Sequence, residues 1–352
     1  MSSNPVRVLV VDDSAYNRRT IIRFLEEMPG IEVLGYACNG EEGLRKAFDL
    51  KPDLITLDLE MPRMDGFSFL RILMQNRPTP VIVVSSRSGD EDVFRALDFG
   101  AVDFVSKPSA QISPELFNIK DDLIRKVQEV AGTDMQKVLQ RSQTEKRSVL
   151  RPLSKAVRSE KAGIRVVAIG SSTGGPPALQ AIFSAIQHKP NVSFVISQHM
   201  PPGFTRAFAD RLNKFCSLDI KEAETGDQLD PGRVLIAPGG KNLTFRARGG
   251  SVVAQVSIPA PEQRYTPSAD AMFLSASEIY GSEVLAVVLT GMGNDGSRGV
   301  KLVKERGGQV LAEAEESSVV FGMPKEAIST GVVDRVVPLH DMCREIMRRC
   351  GY

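Results

Sequence analysis

Over the first 110 residues, short apolar runs alternate with segments whose apolar positions recur at three- and four-residue intervals. VRVLVV (6–11) reads as a buried strand, and the following NRRTIIRFLEEM carries Ile21, Ile22 and Leu25 at helical spacing. IEVLGYA is followed by the helical NGEEGLRKAFDL, and LITLDLE by the helical FSFLRILMQN. PVIVVSS then reads as a strand, EDVFRALDFG as a helix stopped by Gly100, and AVDFVSKP closes the series. Strand and helix alternating at this interval predict a parallel sheet covered on both faces.

From about residue 120 to 162 the apolar runs stop, and KRSVLRPLSKAVRSEKAG is polar with one proline. Residues 120–161 hold eleven Lys or Arg against six Asp or Glu. Such a stretch is either a basic arm for a nucleic acid or another partner, or a solvated linker. No aromatics interleave the charges, which favours a linker, with helical character at DDLIRKVQEV. The alternation resumes at residue 163. Strand-like runs are IRVVAIG, VSFVISQ, RVLIAPG, SVVAQVS, EVLAVVLT, GQVLAEA and GVVDRVV; helical runs are PPALQAIFSAIQ, TRAFADRLNKF, ADAMFLSASEI and SRGVKLVKERGG. This half is again α/β, doubly wound and mostly parallel. The expected organisation is a first domain over residues 5–122, a linker over 123–162 and a second domain over 163–350.

A chain of 352 residues exceeds one ordinary core, in keeping with two domains. The formal charge of +1 provides no molecule-wide surface for a polyanion, and the basic residues of the second half are not gathered on one helix, so nucleic-acid binding is not expected. MSSNPVRVLVVDD reaches two aspartates after a short apolar run, unlike a signal peptide, and no apolar stretch approaches a membrane span; a cytoplasmic protein is expected. Cys38, Cys216, Cys343 and Cys350 lack metal spacing and read as free thiols. The only histidines are His188, His199 and His340, which leaves histidine-dependent chemistry few candidates.

Functional groups of an open parallel sheet gather beyond the C-terminal ends of its strands. In the first half those ends carry Asp12 and Asp13, Asp58, Ser85 and Ser86, and Lys107 with Pro108. Three carboxylates on one rim repel one another unless a cation sits among them, and hard oxygen ligands suit Mg2+. Asp58 is then a candidate phosphoryl acceptor aided by Lys107, with a serine hydroxyl able to bond the phosphoryl group. A single strand-end aspartate is usually a cap or turn former; the combination carries the reading. DDS, LDLEMPRMDG, VSS and FVSKP together resemble a response-regulator receiver domain over roughly residues 5–120. The resemblance implies a flavodoxin-like, doubly wound five-stranded sheet and phosphorylation of Asp58 by a histidine kinase. It implies Mg2+ held by Asp13, Asp58 and the backbone carbonyl of Glu60, with Asp12 close by. It also gives Ser85 and Phe104 as the switch hydroxyl and switch aromatic.

In the second half, VVAIGSSTGG leaves a strand and opens a helix, a context that suits either a phosphate or an exposed nucleophile. A dinucleotide site also needs an acid at the end of its second strand, and VSFVISQHM ends instead in Gln198 and His199. Gly170-Ser171-Ser172-Thr173-Gly174 satisfies G-x-S-x-G centred on Ser172, and Pro176 and Pro177 suit the helix start. A serine needs a base. His199 stands at the next strand's C-terminal end, whereas His188 falls on the opposite rim and His340 in the C-terminal segment. An orienting acid is also needed. Asp295 in GMGNDG lies at another strand end, though Asn-Asp-Gly is a good turn on its own account, and Asp270, Asp227 and Glu224 compete on composition. The amides of Met292 and of the Ser172 turn, Thr173 included, are candidate oxyanion donors.

IGSSTGGPPAL, SQHMPPGFT, APGG, LTGMGNDG and FGMPKEAI, downstream of a receiver, resemble the chemotaxis response-regulator protein-glutamate methylesterase family (CheB type) across essentially the full chain. The resemblance implies a triad of Ser172, His199 and Asp295, without a cofactor for the ester chemistry. It implies hydrolysis of glutamyl γ-methyl esters on chemoreceptors with release of methanol, and deamidation of receptor glutamines. Lys241 and Asn242 after APGG depart from relatives, which often carry an aromatic and a histidine there. A monomer is expected, in which the receiver covers the Ser172 rim until Asp58 is phosphorylated.

Overall fold

The structure, a computed structural model, describes residues 5–85, 90–107, 114–131, 133, 135, 138 and 163–352. It divides into two compact units, Met1–Ser142 and Gln143–Tyr352. In the first, the chain runs β1 (Val6–Val11), α1 (Ala15–Glu26), β2 (Ile31–Ala37), α2 (Gly40–Leu50), β3 (Leu54–Asp58), α3 (Gly66–Asn76), β4 (Val81–Ser85), α4 (Asp90–Asp98), β5 (Asp103–Ser106) and α5 (Pro114–Val130). The strands pair in parallel in the order β2-β1-β3-β4-β5. β3 and β4 are buried along their whole length, which is why they read as unbroken apolar runs. The order reverses between β1 and β3, and the crevice at such a reversal is where Asp12 and Asp58 stand. Ser14, Asn39 and Asp65 cap the helices that follow, each accepting from a backbone amide of the first turn.

DDLIRKVQEV, expected within the linker, is the C-terminal part of α5. Leu123, Ile124, Val127 and Val130 are buried, as is Lys126, whose Nζ donates to Asp103 Oδ1 at 3.0 Å. The helix crosses residue 122, so the first unit continues beyond that position. Residues 139–162 of the expected linker lie outside the described residues, as do Ser86 and Pro108.

The second unit runs β6 (Val166–Ser171), α6 (Gly175–Ser184), β7 (Ser193–Gln198), α7 (Phe204–Phe215), β8 (Asp219–Glu222), β9 (Arg233–Ile236), β10 (Asn242–Arg248), β11 (Ser251–Ser257) and α8 (Ala269–Tyr280). It continues through β12 (Val284–Val288), α9 (Ser297–Glu305), β13 (Gln309–Glu313), α10 (Met323–Ser329), β14 (Arg335–Val337) and α11 (Leu339–Arg349). Seven strands form a parallel sheet in the order β14-β13-β12-β6-β7-β9-β8. SVVAQVS, expected among the sheet strands, is instead β11 of an antiparallel hairpin with β10. The hairpin packs on α8, where Ser275 Oγ accepts from Phe245 N and donates to Phe245 O. The sheet position left over goes to the short β8, whose alternating DIKE lacks an apolar run. β6, β7 and β12 are buried throughout and form the centre of the core. The strand order reverses between β6 and β12, which makes their C-terminal edge the topological switch point. Among the described residues, no helix is long and apolar enough to cross a membrane.

Candidate active site and phosphoacceptor site

Three chain segments meet at the switch edge of the second sheet: the turn after β6, the end of β7 and the loop after β12. The turn leaves β6 at Ser171 and enters α6 at Gly175, with Pro176 and Pro177 in the first helical turn. Ser171 and Ser172 differ in what holds them. Ser171 is the last strand residue, and its Oγ donates to Gln198 Oε1 at 2.7 Å. Ser172 lies one residue past the strand, its amide donating to Thr290 O at 3.0 Å and its carbonyl accepting from Gly175 N at 2.8 Å. Gly291 packs directly against it: a Cβ there would stand 2.7 Å from Ser172 Cβ and 2.6 Å from Met323 Sδ, so no larger residue fits.

His199 follows β7 directly and is tied to the serine turn by its amide, which donates to Ser171 O at 2.9 Å. Its Nε2 lies 2.7 Å from Asp295 Oδ2. Its Nδ1 is buried and has no hydrogen-bond partner. The imidazole stacks on the Tyr265 ring, centroids 5.2 Å apart and planes 7° from parallel. Asp295 sits at the N-terminus of α8. Oδ1 accepts from Ser268 Oγ at 3.0 Å and Asp270 N at 2.9 Å, and Oδ2 accepts from Ala269 N at 2.7 Å. Burial works to raise the Asp295 pKa, but the hydrogen bond and charge of His199 and the amides of Asp270 and Ala269 outweigh it and hold the carboxyl below its usual range. An ionised Asp295 favours the tautomer with a proton on Nε2, which leaves a lone pair on Nδ1.

The competing carboxylates have other partners. Asp270 accepts from Gly299 N at 2.6 Å, and Asp227 and Glu224 each bond Lys221 Nζ at 3.0 Å. His188 and His340 are exposed. Of the oxyanion candidates, Thr173 is buried in the turn with its carbonyl accepting from Thr290 Oγ1 at 2.9 Å, and Met292 is 37% exposed between Gly291 and Gly293. The Ser172 amide, one member of the expected donor set, is committed to Thr290. Gln198, read only as a residue that is not an acid, and Tyr265, Ser268 and Thr290 were given no role from the sequence, because each looks like an ordinary strand-end or loop residue. Only Ser268 carried a signal, as a serine preceding an acid-bearing helix start. Asn242, which follows Lys241 after APGG, is buried and exchanges hydrogen bonds with Gln263 at 2.7 and 2.9 Å, and its Oδ1 accepts from Ser268 N at 3.1 Å. It braces the segment that brings Tyr265 and Ser268 to His199 and Asp295, while Lys241 is exposed.

In the first unit, carboxylate oxygens of Asp12, Asp13 and Asp58 all lie within 4.8 Å of one another. Asp58 Oδ2 is 2.7 Å from Lys107 Nζ, and its Oδ1 accepts from Glu60 N at 3.1 Å. Asp12 Oδ1 accepts from Ser14 N at 2.8 Å, whereas its Oδ2 is buried without a partner. Burial, then the charge of Asp58, pushes the Asp12 carboxyl up to about 6. Burial also raises Asp58 despite the hydrogen bond from Lys107. The Lys107 amide donates to Ser85 O at 2.7 Å. Phe104 is buried edge-on against Phe94, 6.1 Å between centroids.

Comparison with known proteins agrees with both halves. Residues 167–346 match the CheB methylesterase family and residues 8–114 the response regulator receiver domain. Protein-glutamate methylesterase/protein-glutamine glutaminase 3 of Geobacter sulfurreducens is 55% identical over 362 residues, covering 98% of each chain. Protein-glutamate methylesterase/protein-glutamine glutaminase 1 of Myxococcus xanthus is 46% identical over 97% of this chain and 96% of its own. The crystal structure of the Thermotoga maritima CheB methylesterase catalytic domain superposes with a TM-score of 0.51 at 41% identity, over 53% of this chain and 98% of that one. The chain therefore belongs to the CheB methylesterase family and carries a response regulator receiver domain ahead of its methylesterase region.

Proposed function

We propose that this chain is a phosphorylation-controlled protein-glutamate methylesterase and protein-glutamine glutaminase that acts on chemoreceptors through Ser172, His199 and Asp295. The observation that carries the reading is the state of His199, whose backbone amide bonds the serine turn: one ring nitrogen is bonded to a buried, ionised carboxylate at 2.7 Å, and the other is buried and unpartnered. A nitrogen of that kind is a base awaiting a proton. Ser172 Oγ attacks the side-chain carbonyl carbon of the methylated glutamate while Nδ1 takes its proton. The tetrahedral oxyanion is held by backbone amides, with Thr173 and Met292 as the candidate donors. The imidazolium returns the proton to the departing methoxide, and methanol leaves a serine acyl-enzyme. Water then gives a proton to Nδ1 as it attacks the ester, and Ser172 departs reprotonated, leaving glutamate. A glutamine amide follows the same course with ammonia as the leaving group.

Asp58 is the phosphoryl acceptor, with a histidine kinase as donor and Lys107, Ser85 and Phe104 as the groups that register the phosphoryl. Mg2+ fits the acidic rim, because the buried Asp12 Oδ2 lacks a partner among like charges. Asp12, Asp13, Asp58 and the backbone carbonyl of Glu60 would hold it, and when bound it neutralises charge on the carboxylates and on phosphoryl oxygens. The unphosphorylated receiver restrains the methylesterase unit, and phospho-Asp58 releases it. Coupling of this type is commonly about 1–3 kcal/mol.

The test of the nucleophile is a pair of variants assayed for methanol release from methylated chemoreceptor membranes. Ser172→Ala abolishes turnover, whereas Ser171→Ala lowers it without abolishing it. Turnover retained by Ser172→Ala refutes the assignment.

A further inference from the structure

We infer that Gln198 is a positioning residue, whose side-chain amide fastens the nucleophile turn to the backbone of the catalytic base. The inference rests on the roles of Ser172 and His199 proposed above. β6 and β7 run side by side with Ser171 opposite Gln198, and their regular hydrogen bonding ends where His199 N donates to Ser171 O at 2.9 Å. Beyond that point the two chains separate, one into the serine turn and the other into the loop that follows His199. The Gln198 side chain spans the opening. Its Nε2 donates to Ser172 O at 2.9 Å and to His199 O at 3.0 Å, and its Oε1 accepts from Ser171 Oγ at 2.7 Å. Both amide protons and the amide oxygen are thus engaged, one bond going to the nucleophile residue, one to the base and one to the residue before the nucleophile.

The site is built around this amide. Gln198 is buried, and a Cβ on Gly175 would stand 2.0 Å from its Oε1, so the helix start is glycine where the amide lies. The two carbonyls can only accept, so they turn both Nε2 protons toward themselves and leave Oε1 facing the hydroxyl of Ser171, the first serine of the pair, which donates to it. Gln198 touches no reacting atom. It sets where Ser172 and His199 sit relative to each other, and displacement of such groups by about 1 Å costs on the order of a hundredfold in rate.

The experiment compares full-length Gln198→Met and Ser171→Ala with the wild-type chain, in methanol release from methylated chemoreceptor membranes and in the rate of serine modification by a fluorophosphonate. Gln198→Met keeps the length of the side chain and removes all three bonds. It is expected to lower kcat about a hundredfold with KM unchanged, and to slow fluorophosphonate modification by the same factor. Ser171→Ala shows a smaller loss of both, again with KM unchanged, and decides alone if Gln198→Met does not fold. Wild-type kcat in a folded variant overturns the inference, as does a loss that appears in KM and not in the modification rate. Ser172→Ala and His199→Ala in parallel separate the two readings. Activity in either refutes the triad itself, whereas their inactivity alongside a fully active Gln198→Met refutes only the positioning role.

Discussion

Asp295 is the residue on which the electrostatics of the site turn. It is buried at the start of α8 and satisfied by the Ala269 and Asp270 amides, the Ser268 hydroxyl and His199. Asp295→Asn keeps the shape but places an amide where an ionised acceptor is needed, so the imidazole loses both its tautomer preference and the charge that stabilises its protonated form. We expect kcat to fall by about 10⁴-fold, the scale seen when a triad acid becomes an amide. A loss below about tenfold in a steady-state methanol assay would contradict the orienting role assigned through that 2.7 Å contact. The spacing of the glycines in the sequence is what singles out Ser172 over Ser171 as the proposed nucleophile. The bond from Ser171 to Gln198 was not legible there, because a hydroxyl that donates to a neighbouring amide leaves no pattern along the chain.

At the scale of elements, apolar runs in the sequence located the central strands of both sheets, since β3, β4, β6, β7 and β12 are buried throughout. Periodicity reports burial and not which sheet buries a strand, which is why SVVAQVS looked like one more parallel strand when it pairs with β10. Nor does it say whether a helix rich in charge belongs to a domain or to a linker. The latter half of α5 read as linker because Lys126 and Glu129 are charged, yet Lys126 bonds Asp103 at 3.0 Å, and Arg125 bonds Glu129 at 3.0 Å. The strand-end acids of the first unit make a prediction of their own. Folded Asp12 holds its proton up to about 6, against 3.8 for an ordinary aspartate. Below the folded value the native state therefore binds more protons than the unfolded chain, and this contribution to metal-free stability grows as pH falls from about 6 toward 3.8. Asp12→Asn removes the repulsion: its melting temperature without metal should exceed that of the wild type at pH 7.5, and added Mg2+ should stabilise it less. A lower melting temperature, or an undiminished response to Mg2+, would count against a cation site at Asp12.

The whole molecule joins two parallel sheets, and the edge where the strand order reverses carries an acidic rim in one and a neutral serine turn in the other, the two proposed sites. Both edges were legible in the sequence because switch-point residues follow apolar strands, and the family match spans 98% of the chain. What ties them functionally is the proposed control of Ser172 by Asp58. In the Asp58→Asn chain, basal methanol release should persist and a small phosphodonor should have no effect, since asparagine cannot form the acyl phosphate. The most direct test of the account as a whole is methanol release from methylated chemoreceptor membranes by the full-length protein, with and without a small-molecule phosphodonor and Mg2+. The account predicts release that depends on Ser172 and rises about 5- to 150-fold on phosphorylation, the range set by the coupling energy. Release that survives Ser172→Ala, or a wild-type rate that does not change with the phosphodonor, would contradict it.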